Sequence, residues 1–142
     1  MGMLALILVV VTGCSSFHRD WKKSAASAPP DRITGRWEGR WQSEVNEHNG
    51  RLRCLVTGGT NDVYAARFYA EYTLGFIPLR FGYTVPMRVQ PRDGGFEFAS
   101  NADLGWYAGG LYRYRGMVTP TNFFATYDSK HDRGTFKMTR PN

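Results

Sequence analysis

TGRWEGRWQS, residues 34–43, sets Trp37 and Trp41 four positions apart among glycines and charges. Residues at i and i+4 share a face on a helix and on a strand alike, so the spacing alone decides nothing. The neighbours decide it: Arg36, Glu38, Arg40 and Gln42 alternate with Trp37, Gly39 and Trp41, and Gly35 and Gly39 disfavour a helix. The stretch predicts a β-strand with its tryptophans pointing inward.

The same alternation recurs down the chain, broken each time by turn chemistry. Asn49-Gly50 is a hairpin signal ahead of Leu52, Cys54 and Val56. Tyr64, Ala66, Phe68, Ala70 and Tyr72 make a further inward face, and Phe81, Tyr83, Val85 and Met87 another, with Pro78 and Pro86 marking an edge or a bend. Asp93-Gly94-Gly95 turns into Phe96 and Phe98, Tyr112 and Tyr114 oppose Arg113 and Arg115, Phe123, Ala125 and Tyr127 follow, and Phe136, Met138 and Arg140 share the last face. About eight strands result, with no helical period after the N-terminal segment. An even count joined by short turns predicts an all-β fold, an antiparallel up-and-down barrel that removes its edges by closing, with a β-sandwich as the alternative.

In such a barrel the first and last strands run antiparallel and meet at the closure, which makes Trp37 and Arg140 neighbours on the inward phase. A guanidinium over an indole is a favourable pairing. With Gly35 and Trp37 on the first strand and Arg140 on the last, the domain resembles the calycin superfamily of lipocalins, fatty-acid-binding proteins and avidins. ATYDSKHD is not the Thr-Asp-Tyr motif of true lipocalins, and avidin-like or small protease-inhibitor barrels match the length better. What the resemblance implies is a ligand or partner site at an open barrel end, with no catalysis required.

The inward rings, interleaved with Gly39, Ala66, Ala70, Gly116 and Ala125, favour a filled interior, since large and small residues alternate in a tapered core. The tyrosines keep a ligand cavity open as the alternative, because buried hydroxyls need partners and can orient a ligand. The candidate ligand-binding residues are Trp37, Trp41, Tyr64, Tyr112, Tyr114, Tyr127 and Arg140. A second set, Asp103, Trp106 and Tyr107, lies in SNADLGWYAGGLY, where loop aromatics could meet a partner. There the favoured reading is a turn, with Asn101 and Asp103 as caps and Gly105, Gly109 and Gly110 supplying positive φ.

Before the domain stands MGMLALILVVVTG, an uncharged stretch whose apolar run is too short to span a bilayer and suits the core of a signal peptide. VTGCSS resembles the lipobox of bacterial lipoproteins. That resemblance implies cleavage after Gly13, diacylglycerol on the Cys14 thiol, an acylated new amino terminus and, with Ser15 next, sorting to the outer membrane of a double-membraned bacterium. The alternative is a short buried helix with an unmodified cysteine. Residues 14–33, rich in Ser, Ala, Pro and charge without sustained period, read as a flexible tether, which leaves residues 34–142 for one barrel domain.

Net charge is +6, which favours acidic surfaces, and the exported address argues against nucleic acid. Cys54 has no intramolecular partner once Cys14 carries lipid, and reads as a small buried hydrophobe. His18, His48 and His131 are scattered, and no nucleophile, phosphate-loop or dinucleotide motif appears, so neither metal nor other cofactor nor catalysis is expected. Asp128, His131 and Asp132 read as a solvated polar turn. Two functions fit. One is a lipid-anchored, non-catalytic structural or interaction module of the cell envelope, presenting Arg36, Arg40, Arg53, Arg67, Arg113 and Arg115 to an acidic glycan, lipid or protein. The other is a calycin-like carrier of a small apolar or aromatic ligand.

Overall fold

A computed structural model describes residues 16–26, 33–58, 61–103 and 110–141. A helix, α1 (16–25), precedes eight strands: β1 (Gly35–Ser43), β2 (Asn49–Thr57), β3 (Val63–Leu74), β4 (Ile77–Arg92), β5 (Gly95–Asp103), β6 (Leu111–Val118), β7 (Asn122–Asp128) and β8 (Arg133–Thr139). Every strand pairs antiparallel with its successor, and β8 closes on β1 from Glu38↔Thr139 to Ser43↔Gly134. The up-and-down barrel is therefore the fold, and the sandwich is not.

One barrel end gathers Ile33, the β4–β5 and β6–β7 turns and the C-terminal residues; the other, the mouth, gathers the β1–β2, β3–β4 and β7–β8 connections. Gly94 takes φ 80° in the β4–β5 turn, and Gly110 takes φ 76° where the chain enters β6. Asn49-Gly50 does not turn. Both residues lie in β2, paired with Gln42 and Trp41, and the chain reverses at 44–48 around Glu47 at φ 62°. There the Ser43 hydroxyl accepts from the N–H groups of Val45 and Asn46. Gly50 is small because a Cβ there would overlap the Glu71 carbonyl.

Pro86 falls within β4, opposite Ala65. Ser100 donates its hydroxyl to the Pro86 carbonyl, so that carbonyl faces β5. The nitrogen of a strand residue faces the same way as its carbonyl, and proline has no N–H to give. The β4–β5 ladder accordingly runs only from Arg88↔Ala99 to Arg92↔Gly95, and the upper part of β4 rises with β3 as a long hairpin.

The tether expected across 14–33 contains α1. Its composition hid the period because only Phe17 and Trp21, at i and i+4, carry a large apolar face. A helix of ten residues is marginal alone and depends on packing. Phe17 is buried and stacks on Tyr69 at 5.0 Å and 11°, with Trp21 5.7 Å away. The Arg53 guanidinium lies 5.1 Å from the Tyr69 ring, 5.6 Å from Phe17 and 5.5 Å from Trp21. Arg67 donates to Asp20 at 2.7 Å and to Ser16 at 2.5 Å, and its hydrogen bond holds the Asp20 carboxyl below the ordinary range. Arg53 and Arg67, expected on an open basic face, instead hold the helix.

Phe17→Ala removes the central ring of that contact, a change that costs about 3–5 kcal/mol when the ring sits in a packed site. In hydrogen exchange the α1 amides of the variant should lose protection while the barrel amides keep theirs. Unchanged α1 protection would mean that the ring stack does not hold the helix.

Candidate functional site

The two ends of the barrel are built differently, and the difference begins with β1. Its inward residues Trp37 and Trp41 sit at opposite ends of the interior. Trp37 is fully buried, donates its indole N–H to the Ile33 carbonyl at 3.0 Å, and meets Phe123 edge-on at 5.6 Å. Arg140 lies over the indole with its guanidinium carbon 3.8 Å from the ring centroid, and donates to the carbonyls of Thr34 at 2.8 Å and Arg36 at 3.1 Å. Expected as neighbours from strand pairing, the two residues form the seal of the closed end. Ile33, Met87, Phe98, Val118 and Met138 fill the space around it, with Tyr64 packed against them.

The filled interior expected from the sequence is found at that end only. Toward the mouth lies a cavity of about 520 Å³ lined by Trp41, Tyr72, Tyr83, Tyr112, Tyr114 and Tyr127, among others. Ala70, two residues before Tyr72 on the inward phase of β3, adds only a methyl group to the wall at this end. Of the seven candidate ligand residues the structure therefore brings four to the cavity, Trp41, Tyr112, Tyr114 and Tyr127. Trp37, Tyr64 and Arg140 belong to the closed end and line no part of it. A larger cleft, about 950 Å³, lies outside the barrel between α1 and the wall, bordered by Lys23, Arg36, Arg67 and Arg140.

The rings of the mouth are ordered against one another. Trp41 meets Tyr72 edge-on at 5.9 Å and donates its indole N–H to the Glu71 carbonyl at 3.2 Å. Tyr112 stacks on Tyr114 at 6.2 Å and lies 6.0 Å from Tyr127, whose ring is tilted against Phe136 at 5.2 Å. Gly134, opposite Tyr127 across β7 and β8, cannot carry a side chain, because a Cβ there would overlap the Gln42 backbone carbonyl of β1 and would also meet the Tyr127 hydroxyl at 2.6 Å. The bare glycine is what lets that phenol lie flat against β8.

Asp132, expected in a solvated turn, is turned into the mouth instead. Its carboxylate accepts from the Ser43 hydroxyl at 2.5 Å and the Tyr127 hydroxyl at 3.2 Å, which ties the β7–β8 turn to the end of β1. The turn is shaped by Ser129, whose hydroxyl accepts from the Asp132 N–H at 3.0 Å. His131 and Asp128 stay exposed. The signal for Asp132 was present in the sequence only as a Ser at the inward end of β1 and an Asp five residues after an inward Tyr. That coincidence has meaning only once β1 and β8 are paired.

Burial raises the pKa of the Tyr112, Tyr114 and Tyr127 hydroxyls, and at Tyr127 the adjacent Asp132 carboxylate adds to it. The phenols stay neutral donors and acceptors. Cys54 is fully buried with its thiol pushed well up by desolvation, as its reading as a small hydrophobe requires. Among the described residues no group of three or more His, Cys, Asp or Glu side chains converges. Asp103 is exposed at the end of β5. Trp106, Tyr107 and Cys14, the expected lipid site, lie outside the described residues. No family model, curated protein or solved structure matches this chain.

Because the folded chain keeps Tyr114 and Tyr127 neutral above their ordinary value of 10.0, the unfolded chain binds fewer protons at alkaline pH. Their contribution is fully present below about pH 10 and is lost as pH rises from there toward the folded values. The urea midpoint should fall between about pH 9 and pH 11, and less steeply in Tyr114→Phe/Tyr127→Phe. A midpoint flat across that window in the parent chain would contradict neutral buried phenols.

Proposed function

We propose that this barrel is a non-catalytic binding protein of the cell envelope that takes a small apolar or aromatic ligand through its open end, and that a lipid on Cys14 anchors it. The observation that carries the reading is the cavity of about 520 Å³ at one end of an otherwise filled barrel. Small-ligand sites occupy about 300–1,000 Å³, are lined mainly by apolar and aromatic groups, and hold a few placed polar atoms. The mouth supplies those atoms in the phenols and in Asp132. The lipobox-like VTGCSS supports the envelope address.

A second reading is an interaction module for an acidic envelope partner. One lateral row of the outer wall favours it: Arg51, Arg40 and Lys137 are register partners on β2, β1 and β8, and the row continues to Phe124 and Met117 on β7 and β6. Like charges directly opposite on neighbouring strands repel. Arg51 reaches Glu38 at 3.3 Å and Arg40 reaches Asn49 at 2.6 Å, which relieves part of that repulsion within the chain. The cavity is the more specific feature, and the carrier reading stands first.

Trp41 lines the cavity whereas Trp37 is sealed beneath Arg140, so Trp41 is the natural reporter. Titration of the full chain with a panel of small aromatic molecules should quench its fluorescence saturably, and Trp41→Phe should abolish the change while near-ultraviolet circular dichroism shows a folded barrel. A folded chain that responds to no member of the panel would contradict the reading.

A further inference from the structure

We infer that the ligand class of the mouth is an organic cation, a protonated or quaternary amine on a small aromatic or aliphatic body. This rests on the mouth being a binding site. Two features of the cavity, one of its wall and one of its rim, select that charge.

The wall presents indole and phenol rings from several directions. Trp41 and Tyr72 stand at 83° to each other on the β1–β3 side, while Tyr112, Tyr114 and Tyr127 form a tilted stack on the β6–β7 side. Each ring carries negative potential over its face, and a cation enclosed by several faces is held by all of them once water is excluded. Tryptophan and tyrosine are the stronger partners in this role. Apolar burial alone does not require five such rings where leucine or valine would fill the same wall.

The rim supplies a carboxylate. Among the described residues that line the cavity Asp132 is the one acidic residue, and the Ser43 and Tyr127 hydroxyls hold it on the inward side. An ionised carboxylate has about four acceptor positions, and these two donors use two of them. An ammonium group at the rim would use another. An anion in the same place would face Asp132 and the negative ring faces together. The cationic lining residue, Arg80, does not offset this. It lies on the outward phase of β4, is paired in register with Glu71, and borders the exterior cleft shared by Arg40 and Arg51. His48 stacks on Tyr72 at 6.4 Å from the exposed β1–β2 connection.

The test uses three probes on a shared benzyl frame with the full chain, followed by Trp41 fluorescence and by calorimetry: benzyltrimethylammonium, its neutral carbon isostere neopentylbenzene, and the smaller anion phenylacetate. The cation should bind about tenfold or more tighter than the neutral isostere, with phenylacetate weakest. Asp132→Asn keeps one acceptor oxygen and sets an N–H donor against the other hydroxyl, which can turn to accept it, and should reduce cation affinity about tenfold with a much smaller effect on the neutral probe. Tyr112→Phe, which gives up the hydroxyl and its hydrogen bond to Ser129, should retain cation binding and Tyr112→Leu should lose it, so the pair separates the ring face from the contact with the rim. Neutral or anionic probes binding as tightly as the cation would overturn the assignment of charge and leave the mouth a binding site. Failure of all three to bind a folded chain would overturn both.

Discussion

Everything in this molecule depends on β1 closing against β8, and that closure is locked by Arg140 lying on Trp37. A sheet that did not close would leave β1 and β8 as edges with unpaired backbone groups. The guanidinium does two things at once. It covers the fully buried indole at 3.8 Å and caps the backbone carbonyls of Thr34 and Arg36, where the chain enters the first strand. Hydrogen bonds from a charged donor contribute about 1.5–3 kcal/mol each, so the contact stabilises the entry and exit of the barrel together. With one end sealed in this way, the taper of the interior runs toward the other.

That asymmetry divides the aromatic residues into two populations with different duties. Phe98, Phe123 and Trp37 pack against Met87, Val118 and Met138 and serve only the core. Trp41, Tyr72, Tyr112, Tyr114 and Tyr127 line space. Pro86 contributes by ending the β4–β5 ladder early, which frees the long β3–β4 hairpin to stand above the rim with Phe76 and Ile77 exposed at its tip. Outside, α1 is fixed by a stack of Phe17 on Tyr69 and by the cations Arg53 and Arg67. The start of the domain is therefore attached to the barrel wall, with residue 16 only two positions after the expected lipid-bearing Cys14.

The sequence showed the strands, their inward phase and the Trp37–Arg140 contact, because each follows from local alternation plus the rule that first and last strands meet. What it did not show required knowing distances across the barrel. Asn49-Gly50 has the chemistry of a turn, yet Gly50 is small because the Glu71 carbonyl passes over it, a fact about β3 that no local pattern contains. Counting rings predicted a filled interior, but filling depends on which rings share a level, and register places Trp37 and Trp41 at opposite ends. Asp132 looked like a surface turn residue because its partners, Ser43 and Tyr127, are respectively 89 and five positions away. Phe17 and Trp21 gave too short a period to mark a helix, since the packing that stabilises it comes from β2 and β3.

The barrel has one sealed end and, in the reading proposed above, one receptive end. Nuclear Overhauser contacts between an isotopically labelled chain and a saturating aromatic probe test it most directly. Contacts should appear to the rings of Trp41, Tyr112 and Tyr127 and none to Trp37, Phe123 or Met138. Contacts confined to Met117 and Phe124 on the outer wall, or contacts at Trp37, would contradict it.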